Sequence, residues 1–61
     1  MSDPYQLKLD EGNRFQENGR FEAAVDSYDQ AIVIAPGKAE AYYKRGNVFL
    51  KTNQFDAAVE S

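Results

Sequence analysis

The chain has 61 residues, of which 43% are hydrophobic and 28% charged, and its net charge is −3 at pH 7. These fractions are ordinary for a globular protein and argue against disorder, and the length allows only one domain. The acidic balance argues against a nucleic-acid partner, because binding to a phosphate backbone needs a concentrated positive surface.

The sequence contains no cysteine and no histidine, which excludes disulfides and thiolate chemistry. Residues 1–4 lack the basic and apolar run of a secretory signal, and no stretch approaches the length of a membrane span. We therefore expect a cytoplasmic chain with no cofactor, no metal and no membrane contact.

The first predicted helix begins at Asp3 and Pro4. An Asp side chain accepts a hydrogen bond from an unpaired N–H of the first turn, and Pro suits the first helical position. Asn18 and Gly19 are expected to end this helix, because Gly readily takes the left-handed conformation found at helix ends.

The second and third predicted helices each carry an apolar stripe at helical spacing. The stripe of the second helix consists of Phe21, Ala24, Val25, Tyr28, Ala31, Ile32 and Ala35. Pro36 disfavours helix at the residue before it, so residues 36–38 are expected to form a loop. The stripe of the third helix consists of Ala39, Tyr42, Tyr43, Gly46, Phe49 and Leu50. A turn at Asn53 and Gln54 is expected next, followed by a truncated fourth helix from Phe55.

The sequence repeats itself at a distance of 34 residues: residues 5–27 align with residues 39–61, with eight identities in 23 pairs. The identical pairs are Gly12/Gly46, Asn13/Asn47, Phe15/Phe49, Phe21/Phe55, Ala23/Ala57, Ala24/Ala58, Val25/Val59 and Ser27/Ser61. A repeat unit of this size cannot bury its apolar face alone, so it stacks on its neighbours and creates a surface that is usually used for binding.

This period, with its spaced large, small and Pro residues, resembles the tetratricopeptide repeat (TPR) family. The residues that carry the resemblance are Gly12, Phe15, Ala24, Tyr28 and Pro36 in the first copy, and Tyr42, Gly46, Phe49 and Ala58 in the second. It implies an all-α fold of antiparallel helix-turn-helix repeats, with three full helices and a truncated fourth. The module would span residues 1–61, with repeat one at 5–38 and truncated repeat two at 39–61.

The landmark glycines predict close contacts between helices. Gly inside a helix costs about 1 kcal/mol relative to Ala, so Gly12 and Gly46 are expected where an approaching helix leaves no room for a side chain. Ala24 and Ala58 are the expected small partners. The aromatic landmarks are expected in the core, as aromatic stripes at helical spacing usually are.

The two ends of the chain differ in their relation to the family pattern. Lys8 and Glu11 stand where the family has large apolar residues, which suits the exposed first helix of an array. The second copy stops at Ser61, before its last helix is complete. We therefore expect a truncated fragment that self-associates, with the turn at residues 52–55 straightened so that copies exchange helices.

The resemblance implies protein recognition on the concave face, which is lined by the first helix of each repeat. The predicted contact residues are Leu9, Asn13, Tyr43, Lys44, Asn47, Leu50 and Lys51. Asn13 and Asn47 are the best candidates, because an amide pairs with both polar groups of a peptide backbone. The plainer alternative is a solvated Asn of the kind found on any surface.

Lys44 and Lys51 lie seven residues apart on one helical face. Two ammonium groups there would attract a carboxylate or an acidic peptide. Asp10 and Glu17 occupy the equivalent places one repeat earlier, so the alternative is pairing between neighbouring helices, which would contribute little to stability.

Chaperone adaptors of the family hold the terminal carboxylate of heat-shock proteins in a clamp of Lys, Asn and Arg side chains. Asn13 stands at a matching place in this sequence. The clamp is incomplete, because Leu9 replaces the first Lys, Lys44 stands where a second Asn is expected, and there is no third repeat. A carboxylate-clamp adaptor is therefore the less favoured form of peptide binding.

Catalysis is disfavoured by the residue types present. Asp26 and Asp29 belong to the polar face of a helix, and Ser27 has no base in the sequence to activate it. No catalytic residue is predicted. The remaining class is self-assembly, in which the repeats stack on or exchange with other copies and no outside ligand is involved.

Overall fold

A computed structural model describes the backbone of residues 3–60 and the side chains of residues 3–53. Three helices follow one another: α1 at Pro4–Glu17, α2 at Phe21–Ile34 and α3 at Ala39–Glu60. The described part of the chain contains no strand. The predicted all-α class and the helix-turn-helix repeat are confirmed.

The ends of α1 form as the sequence predicts. An Asp3 carboxylate oxygen accepts a hydrogen bond from the backbone N–H of Tyr5 at 3.0 Å, which satisfies one of the donors that a helix start leaves unpaired. At the other end, Gly19 has a φ of 78°, and the Arg20 N–H donates to the Phe15 carbonyl at 2.8 Å. This six-residue hydrogen bond across a left-handed Gly is the Schellman termination, and it turns the chain back along α1.

The α1–α2 hairpin contains most of the core. Ala24, Tyr28 and Ala31 of the predicted stripe are buried, and Phe21, Val25, Ile32 and Ala35 pack against them. The ring of Tyr28 lies on Gly12, where a Cβ would stand only 2.5 Å from the nearest ring carbon. The predicted close approach at Gly12 is confirmed, although the group that approaches is a phenol ring, where the sequence suggested a small residue.

Helix α3 packs against α2 through Ala41 and Val48, both fully buried. The Arg45 Nε lies 2.9 Å from the Asp29 carboxylate, at an angle that makes an ion pair without a hydrogen bond. The first turn of α3 also contacts the start of α1, because the Ala41 N–H donates to the Tyr5 hydroxyl at 3.2 Å.

The apolar stripe predicted for the third helix is the wrong face. The packed residues are Ala41 and Val48, whereas Tyr42, Tyr43, Phe49 and Leu50 are exposed. Ala41 and Val48 are seven residues apart, so they lie on the same side of the helix, and this side faces α2. The bulkier apolar side chains lie on the other sides of α3 and remain exposed.

The turn predicted at Asn53 and Gln54 is also wrong, because α3 continues through it to Glu60 as one helix of 22 residues. Asn53 occupies the place of Gly19 in the 34-residue repeat. Without a Gly, the left-handed conformation that ends α1 is more costly, and the helix carries on. A separate fourth helix is therefore not formed in the described residues.

No helix in the described residues is long and apolar enough to cross a membrane.

Candidate functional site

Leu9 is not available for binding. Its side chain is fully buried in the core between the helices, so its prediction as a contact residue is corrected. The equivalent residue in the second unit, Tyr43, is 71% exposed. The repeat therefore places the same position in the core of one unit and on the surface of the other.

The Asn13 amide is held by Tyr28. The Tyr28 hydroxyl donates to the Asn13 Oδ1 at 2.6 Å, and the Gln16 Oε1 lies 3.1 Å from the same hydroxyl. A hydroxyl has one hydrogen to donate, so the shorter contact to Asn13 is the stronger bond. One lone pair of the Asn13 carbonyl is thereby taken, while its second lone pair and the NH₂ remain for a ligand. The bond orients the amide and leaves its predicted role as donor and acceptor in place.

Burial raises the pKa of the Tyr28 hydroxyl above its ordinary value of 10.0, and the negative charge of Glu17 raises it further. The phenol therefore keeps its proton at every physiological pH. This matters for the site, because only the protonated hydroxyl can donate to the Asn13 carbonyl.

Helix α3 supplies an exposed surface of mixed chemistry. Tyr43 and Leu50 are largely exposed, Lys51 is exposed, and Lys44 and Asn47 are half-buried. Among residues 3–53, the ion pairs are Lys8–Glu11 and Arg45–Asp29. Pairing of the lysines with Asp10 and Glu17, the alternative that the sequence left open, is thus not seen there.

A second surface lies on the neighbouring side of α3, and we name it the open face: Tyr42, Gly46 and Phe49. A Cβ built on Gly46 would meet no heavy atom within 4 Å, so the predicted close helix contact at this glycine is not met. Tyr42 and Phe49 are each nearly half exposed. Ala58, the predicted partner of Gly46, lies outside the described side chains.

The open face borders a groove of about 440 Å³ between α2 and α3. Its lining consists of Phe21, Glu22, Val25, Asp26, Phe49 and Thr52. The floor is apolar and aromatic, and the rim on the α2 side carries two carboxylates. Such a shape suits an amphipathic segment with an apolar edge and basic flanks.

Two features of these surfaces were missed by sequence reasoning. The periodicity marks Tyr28 as core, and nothing in the spacing shows that its hydroxyl reaches Asn13. The groove was missed because it lies between α2 and α3 and depends on how the two helices pack, which the spacing within one helix does not show.

Ser27, which is not expected to take part in catalysis, makes a structural hydrogen bond. Ser27 is buried, and its hydroxyl donates to a Glu11 carboxylate oxygen at 2.9 Å. Glu11 also lies 3.7 Å from the Lys8 ammonium, so the polar residues of α1 that depart from the family pattern form a small network. No cluster of His, Cys, Asp or Glu suited to a metal ion occurs among the residues described.

Consecutive helical hairpins, with a landmark glycine under an aromatic ring, define an α-helical repeat protein. The family model described as TPR repeat matches residues 12–53. The chain therefore belongs to the tetratricopeptide repeat family.

Two curated relatives support this assignment. The chain is 36% identical over 56 residues to tetratricopeptide repeat protein 33 of Mus musculus, covering 92% of this chain and 21% of the relative. It is 32% identical over 62 aligned positions to the Hsp70-Hsp90 organising protein of Plasmodium falciparum (isolate 3D7), covering 95% of this chain and 11% of that relative. The chain thus spans a small part of the length of both. No solved structure matches it significantly.

Proposed function

We propose that this chain is a protein-interaction module that binds a polypeptide segment on the surface shared by α1 and α3. The family supports a protein partner in general. The main observation in support of this surface is that Tyr43 is 71% exposed and Leu50 is 63% exposed. Large apolar side chains in contact with water are typical of interaction sites.

The polar groups of this surface favour a ligand rich in acceptors. Asn13 offers the two donors of its NH₂, while Tyr28 already takes one lone pair of its carbonyl. Lys44 and Lys51 add two positive charges on one side of α3. Backbone carbonyls and carboxylates are the matching groups, so we propose an extended segment with acidic side chains or a free C-terminal carboxylate.

The chaperone-adaptor role is a narrower form of the same proposal. One relative is named as an organiser of Hsp70 and Hsp90, and Asn13 stands at the place of a clamp residue. Leu9, at the place of the first clamp Lys, is fully buried. A binding mode that relies on Asn13, Asn47 and the α3 lysines is therefore favoured over the complete clamp.

The test uses a fluorescent peptide of acidic composition ending in a free carboxylate, and the same peptide with an amidated C-terminus. Asn13→Ala and Lys51→Ala are each expected to weaken binding about tenfold, the size of a charge-assisted hydrogen bond. The control Arg20→Gln removes one positive charge from the turn between α1 and α2 and should leave binding unchanged.

Equal losses for Lys51→Ala and Arg20→Gln would reduce the lysine effect to net charge, and unchanged binding by Asn13→Ala would remove Asn13 from the site; either result would overturn the proposed site. Absence of binding by the unaltered chain would overturn the acidic-peptide proposal itself. Weaker binding of the amidated peptide than of the peptide with a free carboxylate would favour recognition of the C-terminal carboxylate. Equal binding of both peptides would favour recognition of the acidic side chains.

Self-association is the second candidate function, and the open face of α3 favours it. Gly46 has no heavy atom within 4 Å of a Cβ position, and Phe49 beside it is 46% exposed. The two candidates respond oppositely to substitution. Loss of Asn13, Asn47 and Lys51 removes peptide capture and leaves association unchanged if peptide binding is the function. If self-assembly is the function, substitution on the open face lowers association, and the acidic peptide is not captured by the unaltered chain. A catalytic role is not proposed.

A further inference from the structure

The open face of α3 repeats a face of α1 that is covered. Gly12 in α1 lies under the Tyr28 ring, whereas Gly46, its equivalent in the repeat, is uncovered. We propose that a second copy of this chain covers it: residues 55–60 of each copy lie on the open face of the other, and the exchange is reciprocal. This inference rests on the self-association candidate and specifies its site and its occupant.

The internal repeat identifies the occupant. Residues 55–60 read Phe-Asp-Ala-Ala-Val-Glu, and residues 21–26 read Phe-Glu-Ala-Ala-Val-Asp, so four positions are identical and two exchange one acid for the other. Residues 21–26 begin α2, and Ala24 among them is buried in the α1–α2 core. A segment that repeats the start of α2 is therefore suited to a face that repeats α1.

The segment and the face of one copy are kept apart by the straight helix. Helix α3 runs without a break from Ala39 to Glu60, so residues 55–60 continue along the axis and do not fold back over Gly46. Thr52 lines the same groove as Phe21, the first residue of α2. The helix beyond it therefore extends past the α1–α2 hairpin, where a second copy can reach it.

The reciprocal arrangement closes on itself. Each copy contributes one segment and one face, so a twofold axis satisfies both and leaves no equivalent site free. We therefore expect a dimer that does not grow further at higher concentration.

The experiment measures the molar mass of the chain by sedimentation over a concentration series, with matched substitutions at Asn53. Asn53→Gly restores the residue that ends α1 and is expected to let the segment fold back on its own copy, which lowers the dimer association constant about tenfold or more. Asn53→Ala favours the straight helix and should leave the dimer intact.

A second pair of variants tests the face. Gly46→Leu fills the space above Gly46 and should also lower association about tenfold, whereas Gly37→Leu, in the loop before α3 and equally uncrowded, should not. Circular dichroism identifies any variant that fails to fold. If one does, the comparison within the other pair of variants tests the proposed exchange.

The outcomes separate the two proposals. A monomer at every concentration would overturn both self-association and the exchange. A dimer that Asn53→Gly and Gly46→Leu leave unchanged would keep self-association and overturn the exchange. A mass that keeps rising with concentration would contradict the closed twofold arrangement.

Discussion

Gly12 and Gly46 hold the same place in the two repeat units, yet their surroundings are opposite. A Cβ on Gly12 would stand 2.5 Å from the Tyr28 ring, whereas one on Gly46 would contact nothing within 4 Å. A landmark residue therefore allows a close contact between helices without ensuring it. The contact forms in the first unit because Gly19 turns the chain back over α1, and the second unit has Asn53 at that position.

The largest expected difference between the units comes from truncating one pair of equivalent residues. Leu9→Ala empties a fully buried position and should lower the free energy of unfolding by about 2–5 kcal/mol. Tyr43→Ala removes a side chain that is mostly in water and should change it by less than about 0.5 kcal/mol. Urea denaturation followed by circular dichroism measures both, and similar losses would contradict the assignment of Leu9 to the core.

Substitution of Gly12 and of Gly46 by Ala should change the free energy of unfolding in opposite directions. Gly12→Ala places a methyl group against the Tyr28 ring, and the strain of about 1–3 kcal/mol exceeds the gain of about 1 kcal/mol in helix propensity. Gly46→Ala brings the propensity gain with no clash, so it should stabilise the chain. Unfolding is measured at dilution, where association does not contribute. Stabilisation by both substitutions would show that Tyr28 moves away from Gly12 at little cost.

Tyr28→Phe removes the hydroxyl and keeps the ring on Gly12. The lost hydrogen bond to Asn13 should cost about 0.5–1.5 kcal/mol, and the freed Asn13 amide should also weaken binding of the acidic peptide. Tyr43→Phe is the matched control, since its hydroxyl is on an exposed side chain. If stability falls and peptide binding does not, Tyr28 supports the fold without orienting the site.

The same substitution has a pH signature. Because the pKa of Tyr28 is raised in the fold, the unfolded chain releases this proton at a lower pH than the folded chain does. The contribution to stability is therefore complete below pH of about 10, the value for an unperturbed tyrosine, and is lost as pH rises through the folded pKa. The decline in unfolding free energy above that pH should be shallower in Tyr28→Phe. Parallel curves would contradict the raised pKa.

The smallest effect is expected where the two units meet. Asp29→Asn breaks the ion pair with Arg45, but both side chains are more than a third exposed, so the expected loss is about 0–1 kcal/mol and should fade with added salt. Glu11→Gln, which weakens the pair with Lys8 inside α1, is a matched comparison. A salt-independent loss at Asp29 would indicate a more buried contact than the structure has.

Much of the first unit could be predicted from sequence because its signals are local. Asp3 and Pro4 begin α1, Gly19 ends it, and the stripe of α2 is buried as expected. The second unit was less predictable, because its turn had no Gly and its outcome depended on a helix continuing where a repeat would end. The buried face of α3 is set by tertiary packing on α2, which periodicity alone does not specify.

The candidate site was predictable to a smaller degree. Exposed residues such as Tyr43 follow from the family pattern, whereas the burial of Leu9 and the hydrogen bond that fixes Asn13 depend on side-chain positions across two helices. Repeat symmetry suggested equal roles for equivalent residues. The structure breaks that symmetry, because within the residues it describes only the first unit has a helix folded back over it.

Tyr5 lies in the first turn of α1, yet its hydroxyl accepts a hydrogen bond from the Ala41 N–H at the start of α3, and the Lys38 ammonium stands 4.7 Å from the centre of its ring. The bond spans 36 positions of the chain. An unpaired donor at the start of the third helix is thus satisfied only when the beginning of the first helix is already in place. Folding of the two units is consequently coupled, and the chain should melt in one cooperative transition rather than unit by unit.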